Sequence, residues 1–175
     1  MGITLDAKVA LSVGELIPRK NHELLIRAVS RIEGLHLLIA GEGALEEKLQ
    51  TLIEKLGVAD RIKLLSFRTD IAELNTASDF FAFASIQEGL PVALMEAMAR
   101  GLPVVCSRIR GNVDLIDDGV GGILFDPHSV NECKVAIQKC LLTDKQTMGS
   151  HNKEKIKNFS TQTVITQMQE IYERL

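Results

Sequence analysis

Uninterrupted apolar runs alternate along this chain with stretches whose apolar positions recur every three or four residues. The runs at 8–13 (KVALSV), 35–40 (LHLLIA), 62–66, 80–84 (FFAFA), 103–106 and 122–125 read as strands that are apolar on both faces. Between the first two, residues 21–32 place Leu24, Leu25, Ala28, Val29 and Ile32 on one helical face. Asn21 reads as the N-cap of this helix, with His22 inside it. Residues 44–56 predict a second helix that stops at Gly57, and 70–76 a short third with Asp70 as N-cap. Residues 91–100 predict a fourth helix with Pro91 in its first turn, and 112–116 another short one. From 129 onward the pattern is helical, broken near Asp144 and Ser160.

Buried strands joined through single helices predict an α/β fold: a Rossmann-like, doubly wound parallel sheet of about six strands, with right-handed crossovers. Ligands of such sheets bind beyond the carboxyl ends of the strands. That directs attention to the loops after Val13, Ala40, Ser66, Ala84 and Cys106.

Composition narrows the classes. The 175 residues suffice for one domain with a core, and 46% apolar against 25% charged residues is a globular balance. A net charge of −3, no tryptophan and a single tyrosine argue against an extended nucleic-acid face. No apolar run reaches the roughly 20 residues of a membrane span, and no leader pattern opens the chain, so a cytoplasmic domain is expected. Cys106, Cys133 and Cys140 lack paired spacing and read as reduced, packed thiols; Cys133 and Cys140 fall on one helix face. The four histidines do not stand at metal-ligand spacing, and no metal site is expected.

The stretch 85-SIQEGLPVALMEAMARGLPVV-105 holds two glutamates, Glu88 and Glu96, in otherwise core-like sequence. Between them Gly89, Leu90, Pro91 and Val92 form a turn into a helix. Its first N–H groups and dipole would suit a phosphate. Carboxylates repel phosphate but accept hydrogen bonds from vicinal hydroxyls. A ligand with a central phosphate and hydroxylated rings at both ends, such as a nucleotide-sugar, would satisfy the whole loop. On spacing alone, a solvated loop glutamate and a helix-surface glutamate are the simpler account. The loop 13-VGELIPRKNHELLIRA-28 sets Gly14 after a strand and Arg19 and Lys20 before a helix, a basic pair able to neutralise a diphosphate or to be a solvated turn. The loop 41-GEGALE-46 lacks the third glycine of a dinucleotide fingerprint and reads as a tight turn. Ser85 shows no nucleophile elbow, and Asp114 reads as capping or solvated.

Taken in order, 13-VGELIPRKNHELLIRA-28, 38-LIAGEGALEEKL-49, 64-LLSFRTDIAELNTASDFFAFAS-85, 88-EGLPVALMEAMARGLPVV-105 and 119-GVGGILFDP-127 resemble the C-terminal domain of the GT-B glycosyltransferases, specifically the group 1 retaining enzymes. The closing segment 159–175 resembles the family's terminal helix, which would leave an apolar patch exposed when the other half of the enzyme is absent. The resemblance implies that Glu96 accepts hydrogen bonds from the ribose and that Glu88 contacts the donor sugar near its reacting carbon. It implies that Lys20 neutralises the diphosphate, that the Gly89–Val92 backbone holds phosphate or sugar, and that Phe67 and Arg68 border the base. Many members have an arginine directly after the glycine matching Gly14; here the residue is Glu15, so Arg19 would have to substitute or Lys20 would act with the helix N-terminus alone.

The resemblance further implies a UDP-sugar or GDP-sugar donor, no cofactor, and no bound metal. It implies an N-terminal acceptor-binding domain outside this chain, without which transfer is not expected. Polysaccharide or cell-envelope glycan synthesis is the expected setting, with the full-length enzyme peripheral at the inner membrane face. The competing readings are a non-catalytic nucleotide-binding module, a nucleotide-sugar epimerase or phosphorylase of the same fold, and, more remotely, a NAD-dependent dehydrogenase.

Overall fold

Six parallel strands follow one another in the order β3-β2-β1-β4-β5-β6 in the computed structural model, which describes residues 6–173. Residues 1–5, within the segment read above for a leader, and the last two residues of the closing helical segment lie outside that range. The strands are β1 (Lys8–Val13), β2 (Leu35–Ala40), β3 (Ile62–Leu64), β4 (Phe80–Phe83), β5 (Val104–Ser107) and β6 (Gly122–Phe125). The helices are α1 (His22–Val29), α2 (Glu46–Lys55), α3 (Ile71–Thr76), α4 (Val92–Ala99), α5 (Asn112–Leu115), α6 (Val130–Leu142), α7 (Lys145–Ile156) and α8 (Thr161–Tyr172).

Both sheet faces are buried, and the period of two divides each strand between two cores. Ala10, Leu37, Ile39, Phe80 and Ala82 meet α1, α2 and α6 on one face. Val9, Leu11, Leu38, Phe81 and Phe83 meet α3 and α4 on the other, where α7 packs on α4. This is why the strands read as continuous apolar runs. Cys133 and Cys140 share the inner face of α6, and all three thiols are buried and unpaired. Burial pushes the Cys133 and Cys140 thiols up to about 12, so they are packing groups rather than nucleophiles.

The helix breaks follow from local chemistry. Asp144 accepts hydrogen bonds from the Gln146 and Thr147 amides, and Ser160 from that of Thr163, each capping a helix at a predicted break. Gly57 ends α2 with φ +68, a left-handed C-cap.

Two residues stand at the expected N-cap positions but do not cap with their side chains. Asn21 lies in the left-handed region at φ 54, and its Nδ2 donates to the Pro127 carbonyl 2.9 Å away, so its side chain ties the α1 entrance to the loop after β6. Asp70 chelates the Arg68 guanidinium instead of the α3 amides. The edge strand β3 ends at Leu64, short of the expected Ser66, which lies in the left-handed region at φ 53 while its carbonyl still accepts from the Gly41 amide.

Helix α8 buries no residue and exposes Val164, Ile165, Met168, Ile171 and Tyr172. Among the described residues no helix is long and apolar enough to cross a membrane.

Candidate functional site

The strand order places β1 beside β4, although 66 residues of chain separate their ends in sequence. From β1 the chain crosses towards β2, and from β4 towards β5, so the two loops diverge and leave a crevice at their carboxyl ends. Hydrogen bonds lock the loops around that crevice. The Gly14 amide donates to Ala40 O, Leu16 to Glu42 O and Leu45 to Leu16 O, joining the loops after β1 and β2. A Cβ on Gly41 would lie 2.0 Å from the Gly14 carbonyl oxygen, and one on Gly43 2.6 Å from that of Leu16. The GEG sequence is therefore a packing device for this corner, with Gly41 and Glu42 also facing a cavity. The Ile86 amide donates to Arg19 O at 2.9 Å and joins the loop after β4 to the same unit.

Within the crevice Lys20 and Arg19 meet Glu88. Lys20 Nζ lies 2.8 Å and the Arg19 guanidinium 3.1 Å from the same Oε1 of Glu88. The Lys20 stem crosses Gly14, where a Cβ would already lie 3.4 Å from it, and the ammonium sits 5.1 Å from the Phe83 ring centre. Arg19 also donates to the Gln87 carbonyl at 3.0 Å. The Glu88 side chain is only 8% exposed. Burial works to raise its pKa, but the Lys20 hydrogen bond, the adjacent Ser85 hydroxyl and the two cations outweigh burial and hold it below the usual carboxylate range.

Two hollows flank this ion-pair cluster and a third lies farther off. One, of about 520 Å³, is lined by Gly14, Glu15, Glu42, Phe67, Arg68 and Ile71. A second, of about 780 Å³, is lined by Arg19, Glu88 and Gly89 together with the loop after β5. A third, of about 390 Å³, lies between α3 and α4 and includes Glu96, Thr69, Ile71 and Asn75. The first and third share Ile71. Gly14, Phe67 and Arg68 thus come together, as do Arg19, Lys20, Glu88 and Gly89. Glu96 stands apart from Glu88, exposed on α4. Leu90 and Val92 are exposed beside Pro91, the buried N-cap residue of α4. Space for a ligand is open at Gly89, where a Cβ would meet nothing within 4 Å. Among the described residues no cluster of histidine, cysteine and carboxylates is arranged to hold a metal.

Sequence reasoning missed a buried polar layer beneath the cluster. Ser12, Ser85 and Ser107, at or just past the ends of β1, β4 and β5, are fully buried. Ser107 Oγ donates to Ser85 O, and Asn112 Nδ2 donates to Ser107 O at 2.9 Å and Oγ at 3.1 Å, tying the loop after β5 to that after β4. His22 is also buried, with Nδ1 3.5 Å from Ser12 Oγ and Nε2 unpartnered. Burial above all pushes its pKa down to about 4. A serine within two residues of the end of each of three apolar strands was the available signal.

The sequence pattern of the family described as "Glycosyl transferases group 1" matches residues 2–162. The chain belongs to this family. The GT-B relatives share its fold: the chain superposes on the Anabaena protein HepE in complex with UDP at a TM-score of 0.89, with 28% identity over 97% of this chain and 49% of that one. It is 37% identical over 155 residues to a Campylobacter jejuni protein named N-acetylgalactosamine-N,N'-diacetylbacillosaminyl-diphospho-undecaprenol 4-alpha-N-acetylgalactosaminyltransferase, covering 87% of this chain and 42% of the relative. A D-inositol 3-phosphate glycosyltransferase of Mycobacterium marinum is 31% identical over 86% of this chain and 34% of its own length. The chain therefore spans less than half the length of these curated relatives of the glycosyl transferase family.

Proposed function

We propose that this chain is the C-terminal, donor-binding part of a retaining glycosyltransferase and holds a nucleoside diphosphate sugar across the β1–β4 crevice. The observation that carries this reading is the meeting of Lys20 and Arg19 with Glu88 between two open hollows. In this reading the base lies against Phe67 and Arg68, and the ribose hydroxyls donate to Glu96. The diphosphate takes Lys20 and the free first amides of α4, those of Val92 and Ala93, beside Gly89, Leu90 and Pro91. Glu15 and Glu42 make the Gly14 hollow acidic, which favours a diphosphate position nearer Lys20 and α4. When the diphosphate draws off Lys20, Glu88 is released to accept hydrogen bonds from the donor sugar.

Transfer breaks the bond from the sugar's anomeric carbon to the diphosphate oxygen and forms one to the acceptor oxygen on the same face. The acceptor's proton passes to the leaving phosphate, and Lys20 stabilises the charge that develops there. No metal or cofactor enters this scheme. UDP is the proposed nucleotide, supported by HepE, whose complexes contain UDP and UDP-glucose. The acceptor would be selected by an N-terminal domain outside this chain, so the chain alone would not transfer sugar. The Campylobacter relative's diphospho-undecaprenol name favours an envelope glycan product and a full-length enzyme peripheral at a membrane.

Calorimetric titration with UDP, GDP, ADP and UDP-glucose tests the donor role. Selective saturable binding of one base is expected, with Glu96→Gln weakening every ligand of that base. Lys20→Ala should weaken UDP roughly tenfold or more while leaving uridine almost unaffected, the loss of one charge-assisted contact. Unchanged affinities in both variants would sink these assignments.

A further inference from the structure

The loop after β5 carries a guanidinium that the donor reading leaves unused. Arg110 is exposed and lines the 780 Å³ hollow with Arg19, Gln87, Glu88, Gly89 and Asp114. The neighbouring arginines are all committed: Arg19 to Glu88, Arg68 to Asp70 and Arg108 to Asp118. Among the described residues Arg110 makes no ion pair and no side-chain hydrogen bond, although Asp114 lines the same hollow. Cation and carboxylate are thus presented to the hollow separately rather than to each other.

The position of Arg110 is built rather than incidental. The next residue, Gly111, has φ +89, and a Cβ there would lie 2.4 Å from the Gly89 carbonyl oxygen. The Arg110–Gly111 turn therefore rests directly on the Glu88–Gly89 turn, and any side chain larger than hydrogen would separate them. The buried Asn112–Ser107–Ser85 hydrogen bonds anchor the same turn from beneath. Around Glu88 the charges of Arg19 and Lys20 already exceed the one carboxylate they share. A further guanidinium carried on this anchored turn makes the hollow attractive to a negative group, while Asp114 is left to accept from hydroxyls.

We propose that Arg110 binds an anionic group, a carboxylate or phosphate, carried by a substrate on the Glu88 side of the crevice. A planar guanidinium grips either group through two parallel hydrogen bonds. The group has two sources: the transferred sugar, if it is a uronate, or the acceptor, if it is phosphorylated. The proposal rests on the donor-binding reading of the same crevice.

The test is calorimetry on this chain, its Arg110→Ala and its Arg110→Lys variants. In one arm UDP-glucuronate is compared with UDP-glucose, which differ by the carboxylate alone. In the other, glucose 1-phosphate is titrated into the chain saturated with UDP. An anionic donor predicts about tenfold tighter binding of UDP-glucuronate, and an anionic acceptor predicts saturable binding of glucose 1-phosphate. In whichever arm the gain occurs, Arg110→Ala should abolish it and Arg110→Lys retain part of it, with UDP affinity and melting temperature unchanged. Equal behaviour of wild type and Arg110→Ala in both arms overturns the proposal. Failure of the wild type to bind UDP strikes the donor reading instead, and glucose 1-phosphate titrated without UDP then still reads Arg110.

Discussion

Two corners of this molecule use the same materials to opposite ends. Where α7 docks, Gly101, Gly121 and Gly149 permit close approach, and buried Asn152 donates to the Leu102 and Gly121 carbonyls at 2.7 Å each. Where the loops after β1, β2, β4 and β5 converge, Gly41, Gly43 and Gly111 permit close approach, and buried Asn112 donates to Ser107. The α7 corner closes on itself: a Cβ on Gly149 would lie 2.0 Å from the Gly101 carbonyl oxygen, and one on Gly121 2.1 Å from Asn152 Oδ1. The loop corner stays open, with Lys20, Arg19 and Glu88 between hollows. Glycines and a buried amide report tight packing wherever it occurs. Charged groups held together beside open space are what distinguish a site from a joint.

The largest effect that would sharpen this contrast is at the joint. Gly149→Ala must push α7 away from the Gly101 backbone, and an overpacked contact of this kind costs about 3 kcal/mol. Urea unfolding should show that loss while the folded variant still binds UDP at the wild-type affinity. Reduced affinity in the folded state would mean that the two corners are mechanically coupled.

An effect of comparable size, confined to acid, belongs to the loop corner and depends on pH. His22 stays neutral in the folded chain down to about 4, whereas an exposed histidine takes its proton near 6.5. Between those values the unfolded chain binds more protons. The stability held above pH 6.5 is therefore lost progressively as pH falls towards 4, by up to ~1.4 kcal/mol per pH unit. His22→Gln should flatten this slope in urea unfolding measured across the window. An unchanged slope would assign the pH dependence elsewhere.

The smallest effect lies on the outer rim of the joint. Asp117 meets Lys155 at 2.7 Å and His151 at 2.8 Å, and first the Lys155 and then the His151 hydrogen bond holds its carboxyl below the usual range. Its contribution is present above the ordinary carboxylate pKa and is lost as pH falls through the lowered value. Because the side chain is 48% exposed, Asp117→Asn should cost under about 1 kcal/mol at neutral pH and less in high salt, read from melting temperatures. A multi-kcal/mol loss would show that this rim is part of the closed joint.

Much of the molecule was legible in its amino acids. All six strands and the helix breaks at Asp144 and Ser160 were, because each is written in a local run of apolar residues or in a capping side chain. The candidate site was legible in part. Lys20, Arg19 and Glu88 were singled out by residue type and neighbouring turns, but their common oxygen was not, nor was the separation of Glu96 onto the α3 side of α4. Arg110 drew no attention, since an arginine in a turn-rich stretch has no periodicity to mark its surroundings. Asn21 misled because its residue type suits a cap, while Pro127, 106 residues away, supplies the carbonyl that takes its side chain.

The alternation of buried strands and one-sided helices, and with it the α/β class, is written in the amino acids alone. Burial on two faces requires apolar residues at successive positions, and that requirement acts within a few residues. Tertiary structure decided the strand order, and therefore that Lys20 meets Glu88 across 68 residues of chain. It also decided which glycines are compressed against a neighbouring backbone and which, like Gly89, face open space. Those outcomes depend on which strand lies beside which, and no local run of residues encodes its neighbour in the sheet.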